Sequence, residues 1–66
     1  MQIQLNGEMT SLEGDTTIHD LVTSLGLTQR RIAVEVNEEI VPRSQHDAIS
    51  LTDGDRVEIV HAIGGG

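Results

Sequence analysis

Three consecutive glycines, Gly64, Gly65 and Gly66, stand at the carboxyl end of the sequence, directly after a strand-like segment. At a background glycine usage of about 7%, a terminal Gly-Gly pair arises by chance roughly once in two hundred sequences. Residues without a Cβ form a thin, adaptable thread that can carry a terminal carboxylate into a narrow channel of another enzyme. A cloning scar or an idle flexible tail is the alternative, but scars usually contain serine or foreign linker residues. Gly66 is therefore the candidate reactive group, with Gly64 and Gly65 as its thread.

The side chains offer no second candidate for chemistry. His19, His46 and His61 are predicted on a helix, in a loop and on a strand, and cysteine is absent, so the spacing of a metal site or a catalytic triad is missing. The serines and threonines form no nucleophile elbow, and the glycines form no phosphate-binding loop ahead of a helix. We expect no catalytic residue, no metal and no bound cofactor, and hence a protein that is not an enzyme.

The composition restricts the class of partner. Eleven acidic residues against four basic ones, with no aromatic residue, exclude the phosphate contacts and base stacking that nucleic acid binding needs. The net charge of -7 favours a partner with a basic surface, although it could serve solubility alone. All four basic residues are arginines, so no lysine is available for an isopeptide bond and only the chain's own terminus could be conjugated.

Length and hydropathy predict one small cytoplasmic domain. Sixty-six residues allow a single core near the lower size limit for independent folding. No apolar run approaches the roughly 20 residues of a membrane span, and no signal peptide pattern is present. We expect a domain over residues 1–63, a flexible glycine tail over residues 64–66, and no membrane partner.

The first twelve residues predict a β-hairpin. Met1, Ile3 and Leu5 alternate with glutamines, and Asn6-Gly7 follows as a strong hairpin signal. A two-residue loop would put Thr10 and Leu12 on the face of Leu5, whereas a three-residue loop would put Met9 and Ser11 there. We favour the two-residue loop.

The next segment predicts a helix that begins near Ile18. Thr17 and Asp20 resemble a capping box, with Asp in place of the usual Glu or Gln. The apolar stripe of this helix has helical spacing and ends at Gly26, a typical helix terminator. Its predicted members are Ile18, Leu21, Val22 and Leu25.

The rest of the chain predicts three further strands. Residues 32–36 alternate in hydropathy, Asn37 begins a turn into a short strand that Pro42 ends, and residues 44–49 form a weak helical turn at best. A tight turn at residues 53–55 precedes the last strand, residues 56–63. The order ββαβββ predicts an α+β fold of the β-grasp (ubiquitin-like) type, a mixed sheet of four to five strands crossed by one helix. The last strand should lie centrally, beside the first.

Alternation along the last strand predicts its two faces. Val57 and Ile59 should point toward the helix, and Glu58, Val60 and Ala62 should face outward. A partner that draws in Gly66 must hold the strand from which the tail leaves, and a small apolar centre among charges suits a transient interface. We therefore predict that Glu58, Val60 and Ala62 form the partner-binding surface. The simpler alternative is that Val60 is only a good strand former.

Several of these segments resemble one protein family, the sulfur carriers of thiamine biosynthesis (the ThiS family), over nearly the whole chain. The resemblance is carried by the phrase Val-Asn-x-x-Ile-Val-Pro-Arg at residues 36–43, by Asp53-Gly54-Asp55, and by the terminal glycines. Two departures are Glu38 and Glu39, in a turn that often holds glycine, and the missing lysine. Neither lies in the tail.

The resemblance implies a function for Gly66. A ThiF-like adenylyltransferase would use ATP to convert the Gly66 carboxylate into an acyl-adenylate, a sulfur donor protein would convert that to a thiocarboxylate, and a ThiG-like thiazole synthase would accept the sulfur. Other carriers with the same terminal chemistry remain alternatives, namely the small subunit of molybdopterin synthase and tRNA-thiolation carriers. A non-covalent β-grasp interaction module is a further alternative.

Overall fold

The computed structural model describes residues 1–61, which contain five strands and one α-helix in the predicted order ββαβββ. The elements are β1 (Gln2–Leu5), β2 (Glu8–Ser11), α1 (Ile18–Ser24), β3 (Ile32–Val36), β4 (Glu39–Val41) and β5 (Arg56–His61). A single 3-10 turn, Arg43–Gln45, overlaps the segment in which a weak helical turn is predicted. None of the helices among residues 1–61 is long and apolar enough to cross a membrane.

The five strands form one mixed sheet in the order β2-β1-β5-β3-β4. β5 lies in the centre, parallel to β1 and antiparallel to β3. The central position predicted for the last strand is therefore confirmed, and β4, which Pro42 follows, lies at an edge as expected.

The hairpin of β1 and β2 has the two-residue loop. Asn6 and Gly7 both have positive φ, 49° and 87°, as a primed turn requires. Ile3 consequently lies opposite Thr10 and Leu5 opposite Glu8. Leu12 packs against the core, and Met9 is 66% exposed. The favoured register, with Thr10 and Leu12 inward, is confirmed.

The start of α1 is held by the predicted capping box. The Asp20 backbone N–H donates to Thr17 Oγ1 at 3.0 Å, and the Thr17 backbone N–H donates to Asp20 Oδ2 at 3.1 Å. These reciprocal bonds satisfy amide groups that have no partner within the helix. The helix begins at Ile18, as predicted.

The predicted helix stripe is correct for Ile18, Leu21 and Val22 and wrong for Leu25, which is 44% exposed. α1 ends at Ser24, and the chain reverses at Gly26, whose φ is 74°. Gly26 N–H donates to Thr23 O and Leu27 N–H donates to Val22 O, the pattern of a Schellman ending. Because the chain turns back there, Leu27 packs against the core and Leu25 is left outside.

The core lies between α1 and the inner face of the sheet. Leu51, in the loop before β5, completes it. Its buried members are Ile3, Ile18, Leu21, Val22, Val34, Leu51, Val57 and Ile59. This packing holds β5, the strand that leads to the candidate tail, on its inner face.

Candidate functional site

The predicted reactive group and its thread lie outside the described residues, and so does part of the predicted docking surface. The predictions concerned are the end of the last strand at Ile63, the domain limit there, Ala62, Gly64, Gly65 and Gly66. Within the described residues, the part of the chain nearest to this segment is β5, whose last residue is His61.

Hydrogen-bonded neighbours hold β5 on both sides. On the β3 side the pairing runs from Val36 opposite Val57 to Ile32 opposite His61. On the β1 side it comprises Gln4 opposite Arg56 and Leu5 opposite Val57. Because both edges of its first half are paired, β5 is a fixed base for the residues that follow it.

The two faces of β5 are as predicted for the described residues. Val57 and Ile59 are buried against the helix side, whereas Glu58 is exposed and Val60 is 52% exposed. Val60 lies opposite the small Ala33 of β3, so little of the neighbouring strand covers it. Whether partners dock on Glu58, Val60 and Ala62 stays a prediction.

Other strands extend this exposed surface, which we call the outer face of the sheet. Glu35 lies opposite both Glu58 of β5 and Ile40 of β4, and Ile40 is 71% exposed. The outer face thus combines separate aliphatic side chains with carboxylates. The outer face includes Ala33, Glu35, Ile40, Arg56, Glu58 and Val60.

The charged groups of the outer face are mainly carboxylates. Glu35 and Glu58 are like charges directly opposite each other in the ladder, an arrangement that destabilises a sheet when no cation lies between them. The Arg56 guanidinium contacts Glu38 at 3.3 Å, but both side chains are well exposed, so this pair contributes little. A shallow groove of about 320 Å³ is lined by these four charged residues among others.

A carboxylate network holds the beginning of β5. Asp55 accepts hydrogen bonds from Thr52 N–H, Thr52 Oγ1 and Asn37 Nδ2 at 2.8 to 3.0 Å. Burial acts to raise the pKa of Asp55, but these three hydrogen bonds outweigh it and hold the pKa below its ordinary value. Asn37 Oδ1 also accepts from Arg56 N–H at 3.0 Å. The sequence predicts turns here but not this network.

The histidines are dispersed, and one of them has a structural role that the sequence does not reveal. His46 is buried, and its Nε2 lies 3.1 Å from Val41 O, so the ring ties the 3-10 turn to β4. Nothing in the local pattern distinguishes this loop histidine from an exposed one. Within residues 1–61, no group of three or more His, Asp or Glu residues is placed to hold a metal ion.

Comparison with known proteins gives three consistent results. The sequence profile of the ThiS family matches residues 3–66. Sulfur carrier protein ThiS of Bacillus subtilis is 42% identical over 65 residues, which cover 97% of this chain and 98% of the relative. A crystal structure of thiamine biosynthesis protein ThiS from Geobacter metallireducens superposes with a TM-score of 0.85, at 32% identity and full coverage of both chains.

A fourth comparison concerns a longer protein. The whole chain matches part of a thiazole synthase from Paramagnetospirillum magneticum at 42% identity, and it spans about 20% of that relative's length. A segment of this kind therefore exists within a single polypeptide that has the name thiazole synthase.

Proposed function

This chain belongs to the ThiS family, and from that premise we propose that the carboxylate of Gly66 is the group that carries sulfur. The coarser function, a small sulfur carrier of thiamine biosynthesis rather than an enzyme, follows from the family itself. The observation that carries the proposal for Gly66 is the terminal Gly64-Gly65-Gly66 sequence, because it follows β5, the central strand of the sheet, after only Ala62 and Ile63 in the chain.

The chemistry requires activation of the terminal carboxylate. A carboxylate oxygen of Gly66 attacks the α-phosphate of ATP, pyrophosphate leaves, and the acyl-adenylate forms. A sulfur nucleophile then adds to the Gly66 carbonyl and the C–O bond to AMP breaks, which splits one difficult substitution into two easier steps. The chain has no cysteine and so no side-chain persulfide, which leaves the terminal carbonyl as the place for sulfur.

Other proteins supply the catalytic groups for these steps. We assign the activation to a ThiF-like adenylyltransferase, which binds the ATP, and the next step to a sulfur donor protein. We assign the acceptance of sulfur to a ThiG-like thiazole synthase. The thiazole synthase that contains a segment similar to this chain supports the last assignment. Since ATP is consumed, we place the cycle in the cytoplasm.

The docking surface that we propose for these partners is the outward side of β5, comprising Glu58, Val60 and Ala62. The exposure of Val60 beside Ala33 supports it, since a small apolar centre can be covered without a large desolvation cost. The opposed Glu35 and Glu58 support a basic rim on the partner, which would relieve their repulsion.

Intact-mass measurement tests the proposal. After incubation with the adenylyltransferase, ATP and a sulfur source, the mass of the chain should increase by the exchange of one oxygen for sulfur. The matched control lacks Gly66 alone. This variant should gain no sulfur and should keep almost the same unfolding midpoint, because residues beyond the last strand of a domain contribute little to stability. Sulfur on the shortened chain, or none on the full chain, contradicts the carrier mechanism.

A further inference from the structure

The two neighbours of β5 do not extend equally far along it. β3 pairs with β5 as far as His61. β1 ends at Leu5, opposite Val57, and its last backbone contact is the bond from Asn6 N–H to Val57 O at 2.9 Å. Past that bond the hairpin turn carries the chain away from β5. The second half of β5 therefore depends on something other than β1 for support on this side.

The side chain of Asn6 supplies that support. Its Oδ1 accepts from Ile59 N–H at 2.9 Å, and its Nδ2 lies 3.4 Å from Ile59 O, to which it donates. A carboxamide has an N–H donor and a C=O acceptor, as a peptide group does. The Asn6 side chain therefore adds one further pair of hydrogen bonds to β5 beyond the end of β1. Within residues 1–61, these are the last hydrogen bonds that β5 makes on the side of β1.

The turn conformation makes this contact possible. Asn6 has φ 49°, a left-handed conformation that asparagine tolerates better than most residues do. The same residue thus closes the hairpin and directs its amide onto the neighbouring parallel strand. Glycine would permit the turn without the amide, and this separates the two roles experimentally.

We propose that Asn6 is a positioning residue for the reaction at Gly66: its carboxamide fixes the backbone of Ile59 and thereby presents the adjoining Val60 in one orientation to the partner that acts on Gly66. This inference rests on the proposed function of Gly66. A strand end held on one side only would have to be ordered when the partner binds, at a cost in affinity. With Asn6 in place, the backbone of Ile59 is already held on the β1 side in the free carrier.

A second asparagine provides a matched control. Asn37 also lies in a left-handed turn, at φ 52°. Its amide likewise makes two hydrogen bonds to the β5 region, to Asp55 Oδ1 and from Arg56 N–H, each 3.0 Å. These contacts are at the beginning of β5, however, and Asn6 acts near its end. Asn37→Gly therefore removes a comparable pair of bonds without releasing Ile59.

The test compares Asn6→Gly, Asn37→Gly and the unmodified chain in steady-state adenylation by a ThiF-like adenylyltransferase, at a temperature at which circular dichroism shows all three folded. Asn6→Gly should raise KM for the carrier about threefold to tenfold, the range that the loss of a hydrogen bond gives, with kcat changed less than about twofold. Asn37→Gly should leave KM unchanged and lower the unfolding midpoint. Amide hydrogen exchange should accelerate at Ile59 in Asn6→Gly alone.

The possible failures are distinct. If the unmodified chain is not adenylated, the proposed function of Gly66 is wrong. If it is adenylated and Asn6→Gly has the same KM although its Ile59 amide exchanges faster, the positioning role is wrong. An equal rise of KM in both variants also overturns the role, because the effect would then follow general destabilisation.

Discussion

At the scale of single residues, two asparagines and one aspartate lie in turns and make side-chain hydrogen bonds that the sequence pattern does not predict. Asn6 and Asn37 each combine positive φ with side-chain hydrogen bonds to another segment of the chain. Asp55 joins two turns by accepting from both Thr52 and Asn37. Asn37 and Asp55 hold the beginning of β5, whereas Asn6 holds Ile59, in the half of the strand that leads toward the terminal glycines.

The thread itself can be tested at Gly65. We expect Gly65→Val to lower the rate of adenylation strongly although the terminal carboxylate is retained, because a β-branched side chain thickens and stiffens the thread. Single-turnover formation of AMP measures this rate, and Gly65→Ala is the graded control with a smaller effect. A normal rate for Gly65→Val would show that the partner's channel is not narrow.

The lowered pKa of Asp55 predicts a pH dependence of stability. Its folded-state pKa lies below its ordinary value, so the carboxylate contributes stability that is present above the pKa of the unfolded chain, about 3.9. This contribution is lost as pH falls through the folded-state pKa. Asp55→Asn should therefore be less stable than the unmodified chain at pH 7, and the difference should shrink as the pH falls through the lowered pKa of Asp55.

Urea denaturation of both proteins across this range measures the difference directly. Comparing the two chains cancels the titration of the other ten acidic residues, since both proteins share them. A difference that stays constant from neutral to acidic pH would mean that the Asp55 charge is not what stabilises the turn network.

At the scale of elements, β5 has one side in the core and the other side on the surface that we propose for docking. Its inner side chains, Val57 and Ile59, are buried in the core, whereas Glu58 and Val60 face outward. Because successive side chains of a strand point to opposite faces, the residues that stabilise the core are different from those available for binding a partner. Substitutions on opposite faces of β5 should consequently have opposite consequences for binding and for stability.

A pair of charge substitutions tests this separation. Val60→Glu should weaken binding to the adenylyltransferase and to the thiazole synthase at least several-fold and change the free energy of unfolding by less than about 1 kcal/mol, the span of strand propensity. Ile59→Glu should unfold the domain, because it buries a carboxylate without a partner. Titration calorimetry and denaturant melts provide the two readouts. Undisturbed binding of Val60→Glu would show that partners dock elsewhere.

At the scale of the whole molecule, the acidic surface should govern encounter. The chain carries a formal charge of -7, and complementary charge accelerates association more than it slows dissociation. We expect the association rate with the adenylyltransferase to fall as ionic strength increases from about 0.05 M to 0.5 M, as screening shortens the range of the field, with little change in the dissociation rate.

Stopped-flow measurements with two charge variants locate the effect. Glu58→Gln on the outer face should reduce the salt dependence of the association rate more than Glu13→Gln, which removes the same charge from the exposed loop between β2 and α1. Equal effects of the two variants would mean that the net charge, rather than the outer face, steers the encounter.

The sequence by itself determined the elements, because each one is specified by neighbouring residues. Hydropathy alternation predicted the strands, Asn6-Gly7 predicted the hairpin with its two-residue loop, and Thr17 with Asp20 predicted the start of α1. The faces of β5 follow from the same alternation. The family was recognisable from residues 36–43 and the terminal glycines, since these are also local patterns.

Only the tertiary structure decided the contacts between segments distant in the chain. The reversal at Gly26 exposes Leu25 and brings Leu27 to the core. His46 is buried, and its backbone O accepts from His19 N–H of α1. The amide of Asn6 meets Ile59 across 53 positions of the sequence, because β1 and β5 lie side by side in the sheet. Periodicity describes which face a residue has within its own element, whereas such contacts depend on how the elements pack.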